Sequence, residues 1–428
     1  MIMTDYVKIA ALAILLIADI AAVTAQEIAQ VDRGITVQAR PRPDYDPIGA
    51  PVGRFFLFPA ATLDVVYDDN ILAADESEPD FILSDTLLLL TPELALRSDW
   101  SRHALNVGAK AMSGRYNEYA SQDFTDYRLW GDGNLEFGAN KLDASISHNK
   151  LHELRTSSTD QTQGIFPTEY TLDTVGAGYL FAPNRLFASL KVDFASYEYD
   201  DALRIDDMGN PIIIDNRDRD RLNSELRLRL GYLLSPASSL YFESRTYDFD
   251  YDLAQDRFGN NLDQSGYDIV AGSEFDNASL ISGKIYAGYR NIDYDDPQFE
   301  KQSGPLFGAN VDWNVTQLTT LTFLANQRLY GTTVQNSSGI EAMVLGIGVN
   351  HELRRNVILS LNLENANEDY LQTPREDDVS RLNLGADYLL SRNWSLQGGY
   401  RYQKRDSNDA GVRQFKVNQF YLGIRGQI

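Results

Sequence analysis

The chain has 428 residues, a formal charge of −23, no cysteine, and 43% hydrophobic residues with a negative mean hydropathy. That balance excludes a helical membrane protein, a disulfide framework, thiolate chemistry and a cysteine-held zinc site. It also argues against nucleic acid as a partner, because phosphates are repelled unless the basic residues are strongly segregated.

The N-terminus carries the one continuously apolar stretch, "KIAALAILLIADIAAVTAQ". Lys8 precedes an apolar run from Ile9 to Ala18, Asp19 interrupts it, and Val23-Thr24-Ala25 offers a small-residue cleavage site before Gln26. Residues 1–25 therefore read as a secretory signal peptide. Between residues 31 and 59 lie Pro41, Pro43, Pro47, Pro51 and Pro59. Proline fixes φ and removes a donor, so 26–53 reads as an extended segment ahead of the first strand. Two roles stay open for it, a periplasmic leader or a segment docked in a lumen.

From residue 54 onward the chain repeats a coarse unit. Short turns recur at "SDWS" from 98, "FGANK" from 137, "FAPNR" from 181, "LSPAS" from 234, "FDNAS" from 275, "NVTQ" from 314, "LRRN" from 353 and "LSRN" from 390. Their spacing is about 40 residues. Two long alternating segments and a polar, often acidic loop separate consecutive turns, as at 201–220, 256–264, 295–304 and 373–378. Loops are thus short at one end and long at the other. The layout predicts an antiparallel up-and-down barrel of about 18 strands, within a range of 16–18, over residues 54–428. A propeller shares the period but needs three breaks between successive turns. The unbroken runs here have the length of a tilted membrane-spanning strand.

Residues 221–245, "RLNSELRLRLGYLLSPASSLYFESR", show the alternation most clearly. Leu222, Ser224, Leu226, Leu228, Leu230 and Tyr232 share one face of an extended strand, and Asn223, Glu225, Arg227 and Arg229 share the other. Periodicity alone does not say whether the leucines face a core or lipid. The signal peptide, the strand count, the loop asymmetry and the aromatic residues near strand ends together place them on lipid. Tyrosines near the long loops, at 116–119, 197–200 and 247–252 and at Tyr294, Tyr330, Tyr370, Tyr400 and Tyr402, read as one interfacial girdle. Phe137, Tyr179, Phe181, Tyr232, Phe275, Trp313, Tyr388 and Trp394 read as the other. Two segments resist the pattern. "TLLLLTPELALR" at 86–97 contains Pro92, for which a bulge or rim position is expected, and "AMVLGIGV" at 342–349 does not alternate.

Little enzymatic chemistry is visible. His103, His148, His152 and His351 are scattered, and no nucleophile elbow or phosphate-cradling loop appears. No catalytic, metal or cofactor site is expected, and "DNRDRDR" at 215–221 reads as charges that pair among themselves or with water. What remains is a lumen. The expected pore-lining residues are Lys191, Arg227, Arg229, Arg245, Lys284, Arg290, Arg401 and Arg425, opposed by Asp193, Glu225, Glu243 and Glu274. Such opposed charges either tune an aqueous path or close it as a paired network.

At residues 40–73, "RPRPDYDPIGAPVGRFFLFPAATLDVVYDDNILA", the sequence resembles the β-barrel porin 2 family. Arg42-Pro43-Asp44-Tyr45-Asp46-Pro47, the Phe55–Pro59 run and Tyr67-Asp68-Asp69-Asn70-Ile71 carry the resemblance; the rest agrees in length and hairpin layout. The resemblance implies an outer-membrane barrel, set in outer-membrane lipid and lipopolysaccharide. It further implies exopolysaccharide as cargo and a periplasmic polysaccharide-export protein as partner. Ile428 departs from the aromatic ending common in assembled barrels. General diffusion of small solutes and a plugged structural or adhesive barrel are the alternatives.

Overall fold

The computed structural model describes residues 35–159, 164–206, 208–277, 280–332 and 334–428. The signal peptide expected at 1–25 and the beginning of the 26–53 segment lie outside the described residues. A short β1 (Ala50–Val52) folds back on β2 (Phe55–Asp68). There follow β3 (Asp85–Ser98), β4 (Ala104–Tyr116), β5 (Phe124–Phe137), β6 (Asn140–His152), β7 (Glu169–Phe181) and β8 (Leu186–Tyr199). A separate small hairpin, β9 (Ala202–Ile205) and β10 (Pro211–Ile214), stands in the next long loop. The wall resumes with β11 (Arg221–Ser235), β12 (Ser238–Tyr251), β13 (Gln264–Asn277), β14 (Ile281–Tyr294), β15 (Gln302–Thr316) and β16 (Thr319–Tyr330). It ends with β17 (Ile340–Arg354), β18 (Val357–Tyr370), β19 (Glu376–Leu389), β20 (Trp394–Ser407) and β21 (Phe415–Gln427).

Each wall strand pairs antiparallel with the next, and β21 returns to β2 from Ala60↔Gln427 to Asp68↔Gln419. Setting aside β1 and the small hairpin, eighteen strands close into a barrel. Closure satisfies backbone donors and acceptors around most of the ring, as lipid demands, with a seam between β15 and β16. All eight short turns fall where the sequence places them. The tightest, Phe137↔Asn140, leaves two residues outside the ladder, and Gly138 supplies the left-handed φ of 67° that this turn requires. The turns Ser235↔Ser238, Thr316↔Thr319 and Arg354↔Val357 also leave two residues out, each beside a register shift that tightens the twist.

The leucine face points outward. Leu222, Leu226, Leu228 and Leu230 are exposed, as are Leu186, Leu190 and Phe194 on β8 and Phe420, Leu422 and Ile424 on β21. Their neighbours in sequence, Asn223, Glu225, Arg227 and Arg229, are partly covered on the inner face. At the short-turn end Phe137, Tyr179, Phe181, Tyr232, Trp313, Tyr388 and Trp394 are exposed and form the expected girdle. At the long-loop end the expectation needs correcting. The outward rings there include Tyr67, Tyr127, Tyr267 and Tyr289, whereas Tyr247, Tyr251 and Tyr370 are buried.

Pro92 is in mid-strand rather than at a rim. It pairs in register with Ala61 of β2, while the β3–β4 ladder skips it, running from Leu90↔Ser113 to Glu93↔Lys110 with no shift. The missing N–H costs the ladder one local interruption and no bulge.

The non-alternating 342–349 stretch reports a larger departure. The β15–β16 ladder stops at Gly308↔Asn326, so Gln302–Phe307 have no β16 backbone partner. In its place the Gln327 carboxamide accepts from the Phe307 N–H at 2.9 Å and donates to the Pro305 carbonyl at 3.3 Å. Above this point the β16–β17 hairpin leans across the lumen. Glu341 comes within 3.6 Å of Arg290 on β14, and a Cβ on Gly331 would lie 3.0 Å from the Tyr251 hydroxyl on β12. The inner face of the same hairpin packs Ala342 and Val344 against Ala366 and Val379, with Leu324 and Tyr330 alongside. The inner face is buried by this packing while Leu345 and Ile347 on the outer face are exposed toward lipid, so both faces are apolar.

Candidate functional site

The inner wall from β8 to β14 carries a ladder of charges, placed there because every second residue of a strand faces inward. Lys191 pairs with Asp193 at 2.8 Å. Arg227 pairs with Glu225 and reaches Glu243 at 3.8 Å; Arg229 bridges Glu243 and Glu274, both at 2.6 Å. Arg245 spans Glu225 at 3.4 Å and Asp268, and Asp268 also accepts from Arg290, at 2.9 and 3.0 Å. Asp268 and Arg290 are buried, so each compensates the desolvation of the other. Among the described residues, ten of the twelve predicted lining residues thus enter ion pairs: all but Lys284 and Arg401. Arg425 does so more loosely, 3.8 Å from Glu93, and Arg401 lies over the Tyr421 ring at 4.4 Å. Lys284 stands exposed opposite Glu274 near the short-turn end.

Aromatic rings share this wall without filling it. Tyr241 is directly opposite Gly272 and Tyr247 opposite Gly266. A Cβ on either glycine would come within 2.5 Å of the tyrosine ring. Phe187 opposite Gly231 and Tyr286 opposite Gly308 repeat the arrangement. Each ring therefore lies flat in the space of a missing side chain, a pairing that also shields the glycine backbone.

Both ends of the lumen are furnished. At the long-loop end, residues 153–159 reach toward β18 and β20. The Thr156 carbonyl accepts from Gln403 and Arg405, and the Ser158 carbonyl accepts from the Tyr370 hydroxyl at 3.4 Å. The 215–221 run divides its charges. Arg217 binds Asp215 within the run, holding that exposed carboxyl down at about 2, whereas Asp218 binds Arg257 at 2.6 Å and Arg219 binds Glu153. At the short-turn end the N-terminal segment is docked. The Val37 N–H donates to Thr320, Gln38 to Asn350, and both Arg40 and Arg42 to the buried Glu352, at 3.0 and 3.2 Å. Arg355 and Arg392, from two short turns, hold the Pro41 and Pro43 carbonyls.

The four histidines bond locally: His148 to Asp173, His152 to Asp126, His351 to Thr319, and His103 to the Glu136 N–H. Asp268, Glu341 and the inward tyrosines were not picked out from the sequence. Their signal was present, since Asp268 shares parity with Glu274, and Tyr197 and Tyr199 share it with Asp193.

The family described as "Putative beta-barrel porin 2" matches residues 42–428. The chain belongs to that family. No curated protein matches it. Among solved structures, the unliganded ferric citrate transporter FecA is similar at 10% identity, with a TM-score of 0.45 over 86% of this chain. The chain spans 61% of FecA's length. OpdO of Pseudomonas aeruginosa is similar at 11% identity and a TM-score of 0.44, with 88% of this chain and 98% of that one covered. OpdL of the same organism gives 9% identity and 0.44, with 88% and 99% covered. This porin is an outer-membrane β-barrel.

Proposed function

We propose that this porin passes a hydrophilic solute across the outer membrane, and that the solute is an exported exopolysaccharide. The observation that carries the reading is the β8–β14 inner wall, lined by paired charges, with its aromatic rings laid flat over glycines. Paired charges spread along such a wall offer hydroxyl groups many weak partners and no single deep trap, which permits transit. The choice of cargo, and of a periplasmic polysaccharide-export protein as the partner that delivers it, follows the family resemblance. Deleting the gene and measuring cell-surface polysaccharide tests it: surface polymer falls, and an unchanged amount overturns the cargo.

A second reading has its own support, in the Arg40–Glu352–Arg42 clamp that seats the N-terminal segment at the short-turn mouth. There the barrel is plugged, and planar-bilayer conductance rises once residues 26–53 are removed. Equal, high conductance to small salts and sugars with and without the segment favours a general diffusion porin.

A further inference from the structure

Beneath the leaning β16–β17 hairpin lies a cavity of about 240 Å³ at the long-loop end of the lumen. Its wall side is built by Tyr170 of β7, Tyr197 and Tyr199 of β8, Arg221 and Asn223 of β11, and Tyr251 of β12. Its lid side is Leu329–Thr332, and Thr159 closes a flank. We infer that this cavity binds a monocarboxylated sugar ring, a hexuronate unit.

Charge bookkeeping comes first. Arg219 and Asp218 both border the cavity, but Glu153 neutralises the first and Arg257 the second. Arg221 makes no ion pair among the described residues. Its guanidinium sits 4.3 Å from the Tyr197 ring and 5.5 Å from the Tyr251 ring, donates to the Arg219 carbonyl at 3.0 Å and bonds Tyr199. Among the described residues the cavity is left with one uncompensated cation, inside a chain whose net charge is −23. A half-buried guanidinium held by ring faces, one tyrosine and one carbonyl keeps donors to spare, and a bidentate carboxylate is their best partner.

Two further atoms define the rest of the ligand. The Arg221 Nε is buried without an acceptor, and the Asn223 Oδ1, two residues along the same inner face, is buried without a donor. A ligand that supplies an acceptor to the first and a hydroxyl to the second satisfies both. Thr159, Thr332 and the tyrosine hydroxyls add polar edges, while the tyrosine rings and Leu329 give an apolar face. Carboxylate, hydroxyls and a ring with an apolar face occur together in a uronic acid, whereas a bare aromatic acid leaves Asn223 unsatisfied. Gly331 supplies the room, since a Cβ there would stand 3.6 Å from the Arg221 guanidinium carbon.

As a station on the cargo's path, the site rests on the conduit reading above. The test uses the full-length protein in detergent, titrated calorimetrically with glucuronate, glucose and benzoate. Glucuronate binds, and glucose and benzoate bind at least roughly tenfold more weakly, the expected loss for a missing charged or hydroxyl contact. Arg221→Gln weakens glucuronate to a similar degree. So does Gly331→Leu, which fills the cavity from the lid and decides the matter should the first variant not fold, folding being read from heat-modifiable migration. Glucuronate binding no tighter than glucose, benzoate binding equally well, or indifference to the substitutions overturns the inference. A deletion strain with normal surface polymer, beside a protein that still binds glucuronate, would reject the conduit and leave the site standing.

Discussion

On β11 the inner face presents Glu225, Arg227 and Arg229; on β17 the corresponding face presents Ala342, Val344 and Gly346. Both strands belong to one ring and obey one alternation, yet their inner faces are built for different surroundings. The β8–β14 wall keeps charged groups paired, most half-covered and Asp268 and Arg290 buried, as suits a surface along a wet lumen. The β16–β19 wall buries small aliphatic groups, because its long-loop half leans inward and packs on itself. Inward-facing is therefore not the same as wet, and the difference arises where the β15–β16 ladder stops.

Removing charge from the first wall should have the largest effect. Asp268→Ala leaves Arg245 to Glu225 at 3.4 Å and Arg290 to Glu341 at 3.6 Å, both longer contacts, and breaking a buried pair costs about 3–5 kcal/mol. Urea titration of protein refolded in lipid vesicles measures it, and a change below about 1 kcal/mol would mean that water already serves those guanidiniums. On the second wall, Val379→Ala removes two methyl groups from a fully buried side chain and should cost about 2 kcal/mol in the same titration. A negligible cost would dissolve the distinction between the walls. Gln327→Ala deletes the side-chain clasp at the seam and should cost about 1 kcal/mol, with faster hydrogen exchange at the Phe307 amide and not at Gly308.

The smallest effect belongs to the loops outside both walls. Hydrogen bonds from Arg217 hold Asp215 at about 2, below the ordinary 3.8. A depressed carboxyl stabilises the loop above its unfolded value, and that contribution disappears as pH falls through about 2. The NMR signal of the Arg217 side chain should therefore stay fixed down to about pH 4 and move only in stronger acid; a midpoint near 4 would show the pair to be open in solution.

Much of this architecture was legible. The eight short turns, the eighteen strands and the outward leucines all follow from period-2 alternation and from the spacing of Gly, Asn, Asp and Pro. Parity also placed Glu225, Arg227, Arg229, Glu243 and Arg245 together on one face, although sequence gave no way to tell which would touch, because cross-strand partners depend on register. The tyrosines misled for the opposite reason. An aromatic belt was read from their closeness to strand ends, whereas their parity with Asp193 and Arg245 sent Tyr197, Tyr199, Tyr247 and Tyr251 inward. The lean of the β16–β17 hairpin left one trace, the failure of 342–349 to alternate, and no local rule says what covers a face that is apolar on both sides. Arg40 and Arg42 finding Glu352, some 310 residues away, is a long-range match that no local pattern encodes.

Gln302–Phe307 form the longest run of wall strand lacking a backbone neighbour on one side, and a strand in that position invites a foreign strand to add to it. Pro305 removes a donor from the middle of that run, and the Gln327 carboxamide takes the Pro305 carbonyl and the Phe307 N–H. The barrel is in this sense a hoop fastened at one place by a buckle instead of a weld. Any change of girth in the long-loop half begins at this seam, where the Gln327 side chain clasps the strand beside it.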